Sequence, residues 1–397
     1  MRGGPDRASL SHGRTADEDA RRGEDPGRAL RLLLPRLSVL GITRIGDITG
    51  LDRIGIPVVQ AVRPLGLANA VTQGKGRDRD AAAVSAIMEA AEQFFAERID
   101  RLRPVRASAE KLGVAHELFA RHVLPNAPAN WPRIETAWTR ATDLLTGGPA
   151  WLPLEMVHTA YVEPPVASDG LFFASTTGLA AAFSERAAVL HGLLECLERD
   201  AVARAHRVHG FFQRFRIDPG TAGDAELEEL VERVRAAGLH CAFWSAPGMA
   251  GVPVVWCQVM EDGSLPLITP YPADGFAADP DPVSAARRAL LEAAQSRLAA
   301  ISGARDDITR ASFPRHTDWG LIDGHRRLLA EGPKPMDFAA LRERAPATEG
   351  DPLDRLLRHL SGAGISSVLC TPLDTRPCRG IAAVRVVVPE LRPLTEG

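Results

Sequence analysis

The 397-residue chain is 45% hydrophobic and 24% charged, the balance of a globular protein long enough for a substantial core. A formal net charge of −3 gives no electrostatic reason to expect nucleic acid, and no apolar run reaches membrane-spanning length. Five cysteines without CxxC spacing argue against a disulfide scaffold or a cysteine zinc site.

In chain order, residues 1–31 have no apolar signal core and read as a flexible leader, with 32–397 as one domain and the cytoplasm as the default location. Strands are expected near Thr43–Ile48 and Pro57–Arg63, around a turn at Thr49–Gly55. Gly74-Lys75-Gly76 reads as a Gly-flanked loop that lacks the full Walker spacing. A long helix follows from Asp80 to Arg98, then a loop at Pro125–Pro132 and a strand at Trp151–His158. The stretch "LFFASTTGLA" leads as a strand into a second long helix, Ser184–His206. A polar helix in "DAELEELVERVRAAG" precedes the strands "HCAFWSA" and "VPVVWCQVM", a loop, and a third long helix from Pro282 to about Ile301. Asp306–Gly350 is polar and Pro-rich, a loop with one or two helices. A helix in "PLDRLLRHLSGAG" and strands in "SSVLCTPLD" and "AAVRVVVPEL" close an α+β chain with mixed sheets.

The three long helices share a spacing. Ser85, Glu89 and Glu92 recur as His191, Glu195 and Glu198, each glutamate 106 positions on, and again as Arg288, Glu292 and Gln295. Positions i, i+4 and i+7 fall on one helix face. In the first helix that stripe lies beside a broad apolar face of Val84, Ile87, Met88, Ala91, Phe94 and Phe95. The flanks are small, including Ala82, Ala86, Ala188 and Gly192, so another backbone or a ligand can come close. Two readings stand. Glutamates on helix faces commonly meet water. Alternatively Glu89, Glu92, Glu195 and Glu198 converge, which requires cations such as Mg2+ to offset their repulsion. Mg2+ would then bridge them to phosphates, with Lys75 as a further point charge and Arg199 and Arg297 as candidates. Arg297 lies off the Glu292/Gln295 stripe.

His191 reads as a base or as packing against a neighbouring helix, and Asp47, Asp52 and Arg53 as turn bonding or a ligand edge. Gly303 is a plausible C-cap before Arg305 and Asp306. Cys196 reads as a small hydrophobe, and Trp131, Trp138 and Trp151 as packing.

Four stretches, "TRIGDITGLDRIGIPVVQAVRP", "TQGKGRDRDAAAVSAIMEAAEQFFAE", "GLAAAFSERAAVLHGLLECLERDA" and "ALLEAAQSRLAAISGARDDI", together resemble the YcaO family. The closest likeness is to its branch whose genes accompany TfuA-like proteins. The resemblance implies a YcaO-like fold around an acidic nucleotide cleft and an enzyme that uses ATP and Mg2+ on a peptide backbone amide. A nucleophile attacks the carbonyl carbon and the amide oxygen is phosphorylated, giving azolines, thioamides or amidines. The family nucleotide site matches Lys75, Ser85, Glu89, Glu92, Glu195, Glu198, Arg199, Gln295 and Arg297, and so supplies the role for Arg297 that periodicity does not. Metal binding is carried over to Glu89, Glu92, Glu195 and Glu198. Expected partners are a peptide or protein substrate, a TfuA-like protein and a second copy in a homodimer, with no nucleic acid and no membrane.

Two departures from the family pattern bear on activity. Phe183 stands where an Asn is usual, and Ala187 where a Glu is usual four residues before His191. Losing an acceptor and a carboxylate weakens Mg2+ or nucleotide binding unless Glu185 or a partner compensates. The rival reading is therefore a degenerate member that binds or scaffolds a precursor peptide. The end, "VVVPELRPLTEG", lacks the proline alternation of the azoline-forming branch and favours the thioamide-type branch.

Overall fold

The computed structural model describes residues 25–265, 268–269, 271–304, 319–331, 335–343, 345 and 350–394. Strands β1 (Arg44–Asp47), β2 (Val58–Val62) and β3 (Val71–Lys75) form a three-stranded antiparallel sheet in chain order. A second sheet begins with β4 (Val105–Ala107), β5 (Thr136–Asp143), β6 (Pro149–Pro153) and β7 (Leu179–Ala182). Strands β8 (Arg216–Ile217), β9 (Leu239–Ala246), β10 (Val254–Glu261) and β11 (Ala273–Ala278) make a third sheet, ordered β11-β10-β9-β8. The chain then returns β12 (Leu369–Pro372) and β13 (Ala382–Val387) to the second sheet, ordered β4-β5-β12-β13-β7 with β6 on β5.

One arrangement repeats. Each sheet offers an edge strand, β3, β7 or β11, and each of these runs into a long helix that packs on it. The first helix is Arg79–Ala96, the second Glu185–Ala205 and the third Pro282–Ser302. Each start is fixed by a side-chain cap: Asp78 on the N–H of Ala81, Ser184 on Ala187, and Asp281 on Ser284 with Pro282 at the first helical position. The third helix ends at Gly303, which takes the left-handed conformation at φ +58°, as its C-cap reading anticipates.

Close strand–helix contact depends on glycine. A Cβ on Gly74 of β3 would lie 2.1 Å from the backbone N of Ala86, and one on Gly275 of β11 would lie 2.1 Å from the carbonyl O of Ala289. The small flanks Ala82 and Ala86 thus receive a strand backbone. Because side chains alternate along a strand, the neighbours of these glycines turn away from their own helix. Those neighbours are Gln73 and Lys75 in β3, and Asp274 and Phe276 in β11.

The α+β class holds, with local corrections. Every ladder between named strands is antiparallel, and among the described residues the mixing expected of the sheets is confined to one isolated parallel bridge, Ile217 with Met336. Lys75 ends a strand rather than sitting in a loop, and β11 occupies a stretch expected as loop. The strand expected over Trp151–His158 ends at Pro153 and gives way to a 3-10 turn, Leu154–Met156. The leader boundary at residue 31 falls inside a helix, Pro26–Leu33, which buries Ala29 and Leu33. Arg305 and Asp306 lie outside the described residues. Trp131 and Trp138 are buried as expected, while half-buried Trp151 lies under the Arg140 guanidinium at 4.7 Å.

Candidate functional site

All nine stripe residues border one cavity of about 1150 Å³, and so do Lys75, Arg199 and Arg297. The converging reading of the glutamates therefore replaces the solvent-facing one. Every residue carried over from the family pattern reaches this cavity. Phe183 and Ala187 border it as well.

The stripes also stitch the three strand–helix units together. Glu92 on the first helix accepts the N–H of Ala181 in β7 at 2.8 Å. Gln295 on the third helix donates Nε2 to the carbonyl of Gln73 in β3 at 2.9 Å. Glu195 on the second helix accepts the N–H of Gly178, just before β7, at 3.1 Å. Side chains that line the cavity thus satisfy the edge backbones that an open sheet leaves unpaired.

Charge in the cavity is crowded. Burial pushes Glu92 well above the usual carboxylate range, the Ala181 N–H opposes this, and Glu89 and Glu195 add to it. Burial likewise raises Glu195, with Arg199 opposing, and pushes Glu198 up to about 8. Two cations hold the cluster. Lys75 Nζ lies 2.7 Å from Glu292 Oε2, and Arg199 lies 3.7 Å from Glu195 and 3.6 Å from Glu198. Burial would also raise Glu292, but Lys75 and Arg199 outweigh it and hold the group low. His191 opens onto the cavity, where burial, Arg288 and Lys75 pull it down to about 4. It is therefore neutral near pH 7, with one ring nitrogen free to accept, rather than a cation.

Arg297 plays a different part from its neighbours. Its guanidinium is fully buried, with Nε 3.0 Å from Asp52 and Nη2 2.6 Å from Glu261. Asp52 is accordingly an anchor for Arg297 rather than a turn residue, whereas Asp47 does make the turn bond, to the N–H of Thr49. Cys196 is buried, with its thiol pushed up to about 12 by burial, in keeping with a packing role.

The donor set suits a magnesium nucleotide. Hard carboxylate oxygens are the ligands Mg2+ prefers, and the cavity is somewhat larger than the range of about 300–1,000 Å³ usual for small-molecule sites. Among the described residues no three His, Cys, Asp or Glu side chains form a ready-made metal cage. Instead Glu92, Glu195, Glu198 and Glu292 are turned to N–H groups, Arg199 and Lys75. Several cavity-bordering polar atoms are buried without a partner: Arg297 Nη1 and the amide oxygens of Gln73, Gln93 and Gln295. Such atoms call for a polar ligand or water.

Sequence reasoning placed Glu292 on a stripe but not in the site. It missed Asp274, which borders the cavity from β11 and sits on no helix. Glu185, the candidate to compensate for Ala187, is exposed in the first turn of its helix and is not among the described residues bordering the cavity.

The family model described as YcaO cyclodehydratase, ATP- and Mg2+-binding, matches residues 73–392. The chain belongs to the YcaO family. An uncharacterized protein in the tfuA 3' region of Rhizobium leguminosarum bv. trifolii is 32% identical over 92% of this chain and 87% of its own length. Among solved structures, YcaO from Methanopyrus kandleri bound with AMPPCP and Mg2+ superposes with TM-score 0.68 at 26% identity, covering 92% of this chain and 91% of that one. A heterocyclase in complex with substrate and cofactor has the same TM-score, 0.68, at 18% identity over 93% of this chain and 53% of its own, and shares the fold. ATP and Mg2+ are the family's cofactors, and the cavity of this YcaO protein has the chemistry to hold them.

Proposed function

We propose that this YcaO protein is an ATP- and Mg2+-dependent enzyme that modifies a backbone amide of a peptide. The observation that carries the reading is the meeting of three acidic or amide stripes and Lys75 around one cavity. When bound, ATP would supply the phosphoryl group that makes the amide oxygen a leaving group, and Mg2+ would offset the phosphate charge. Glu89, Glu92, Glu195 and Glu198, with Glu292, are the groups to hold the metal. Lys75 and Arg199 are the groups to hold phosphate oxygens, and Ser85 and Gln295 complete the polar wall. Arg297 positions the wall by clamping Asp52 to Glu261. A thioamide product, a TfuA-like partner, a homodimer and a cytoplasmic location belong to this reading. The relative's place beside tfuA supports the partner.

The test is calorimetric titration with Mg2+ and AMPPCP, followed by phosphate release on adding a candidate precursor peptide. Binding by the parent and its loss, by about tenfold or more, in Glu89→Gln is expected, since that change removes one metal charge at nearly constant shape. Parent protein that binds neither Mg2+ nor AMPPCP refutes the reading. A second reading is favoured by Phe183 and Ala187, which border the cavity in place of an amide and a carboxylate: a scaffold that binds a precursor without turnover. Tight peptide binding with no nucleotide binding selects it.

A further inference from the structure

Asp274 is the one described cavity carboxylate supplied by a strand rather than a stripe. Its Oδ1 accepts two short hydrogen bonds, from Trp256 Nε1 at 2.6 Å and Gln258 Nε2 at 2.7 Å. Both donors stand on β10, the neighbouring strand, and Gln258 is directly opposite Asp274 in the register. Gln258 is itself almost fully buried, and its Oε1 lies 2.9 Å from His325 Nε2 on the helix Trp319–Glu331. A carboxylate fixed through two layers of hydrogen bonds is one whose direction matters. Its second oxygen, Oδ2, takes no hydrogen bond from a described residue. Phe276, two residues on, brings an apolar ring to the same cavity. Its ring centroid lies 4.8 Å from that of Trp256.

The stripes and Lys75 account for metal and phosphate, so Asp274 faces the rest of the cavity's contents. An oriented, single-oxygen acceptor beside an apolar ring is suited to an N–H donor rather than to a phosphate, which it would repel. It is also a poor metal site, because its other oxygen is already spent on two donors. We propose that Asp274 and Phe276 form the substrate-amide subsite, in which Asp274 Oδ2 accepts the N–H of the peptide bond being modified. This rests on the amide-modifying reading above. In a trans peptide bond the N–H and C=O point in opposite directions. An N–H held on the β11 wall therefore aims the carbonyl oxygen away from Asp274. Lys75 enters from a different sheet, at the end of β3. The subsite thus sets which atom of the amide is presented for phosphorylation, and Phe276 excludes water beside it.

The test uses N-acetylglycine N-methylamide, a small compound with two peptide N–H groups, and its fully N-methylated counterpart, which has none. Each is titrated by saturation-transfer NMR against full-length protein carrying Mg2+ and AMPPCP. The parent should prefer the N–H compound. Asp274→Asn, which can keep Oδ1 toward Trp256 and Gln258 and turn its NH2 to the ligand, should bind that compound about tenfold more weakly. The methylated compound should show no such loss. Equal affinity of parent and variant for the N–H compound overturns the proposal, as does equal binding of both compounds to the parent. No binding of the diamide to loaded parent also overturns it. Loss of AMPPCP binding in Asp274→Asn does so too, because Asp274 would then serve the nucleotide or the fold. Failure of the parent itself to bind Mg2+ and AMPPCP would instead refute the functional reading beneath it.

Discussion

Glu198 shows what crowding does to a single side chain. It is almost fully buried, its nearest cation is Arg199 at 3.6 Å, and burial lifts it from 4.5 to about 8. In the unfolded chain the same group ionises near its ordinary value. Between those two pH values the folded protein holds a proton that the unfolded chain has lost, so stability falls as pH rises through the window. Glu198→Gln removes this dependence. In EDTA, urea unfolding should show the variant gaining on the parent from pH 5 to pH 8, by on the order of 3 kcal/mol. A parent that grows more stable than the variant over that range would show that Glu198 is ionised and paired instead. The positions of such residues were legible from spacing, because the i, i+4, i+7 stripe is a property of the helix itself. Their partners were not. That Lys75 meets Glu292, or that Glu92 caps Ala181, depends on how separate sheets are placed, which local periodicity does not encode.

The long helices were legible as elements because eighteen to twenty-one residues of patterned sequence, with Asp or Ser caps, leave little ambiguity. Strands β3 and β11 were not. "VTQGK" and "ADGFAA" carry glycine, alanine and polar residues of low strand propensity, and they read locally as loop. Their glycines serve the helix contact instead of the strand. This is testable at Gly74, where an added Cβ would meet Ala86 N at 2.1 Å and Ala82 O at 2.2 Å. Both are helix backbone, which cannot rotate aside. Gly74→Ala should therefore cost about 3 kcal/mol in urea unfolding, the upper part of the usual range for overpacking. It should also weaken Mg2+ and AMPPCP binding, because Lys75 is the next residue. The same change at Gly41, where no atom lies within 4 Å but φ is +71°, should cost only about 1 kcal/mol of backbone strain. If Gly74→Ala were as mild as Gly41→Ala, close packing would not be what selects glycine in β3.

Across the whole molecule, three edge strands and three helices meet so that each helix stripe faces a common cavity. The fold class and the identity of the cavity residues were readable because the motifs recur in family order. The consequence of the two departures needed the structure. Ala187 borders the cavity and is exposed to it, so a longer side chain has room there. Phe183 is different. It precedes the Ser184 cap rather than lying on the helix, and it packs against the core cluster that includes Leu33 and Ile381. It also forms part of the wall of a smaller cavity of about 260 Å³, shared with Arg36 and Arg379. Restoring the family residues should therefore separate into two effects. Ala187→Glu adds a carboxylate without removing core packing, and should carry most of the gain in affinity for Mg2+ and AMPPCP. Phe183→Asn adds an acceptor but uncovers apolar surface, at about 2 kcal/mol of stability. The double variant should bind Mg2+ and AMPPCP more tightly than the parent by ~1–3 kcal/mol, the scale of a charged hydrogen bond, while unfolding at lower urea. Calorimetry on the parent, both single variants and the double variant resolves the contributions. Unchanged affinity in Ala187→Glu for Mg2+ and AMPPCP that the parent also binds, with the fold intact, would mean that Glu292 and the other four stripe glutamates already complete the site, and the scaffold reading would lose its footing.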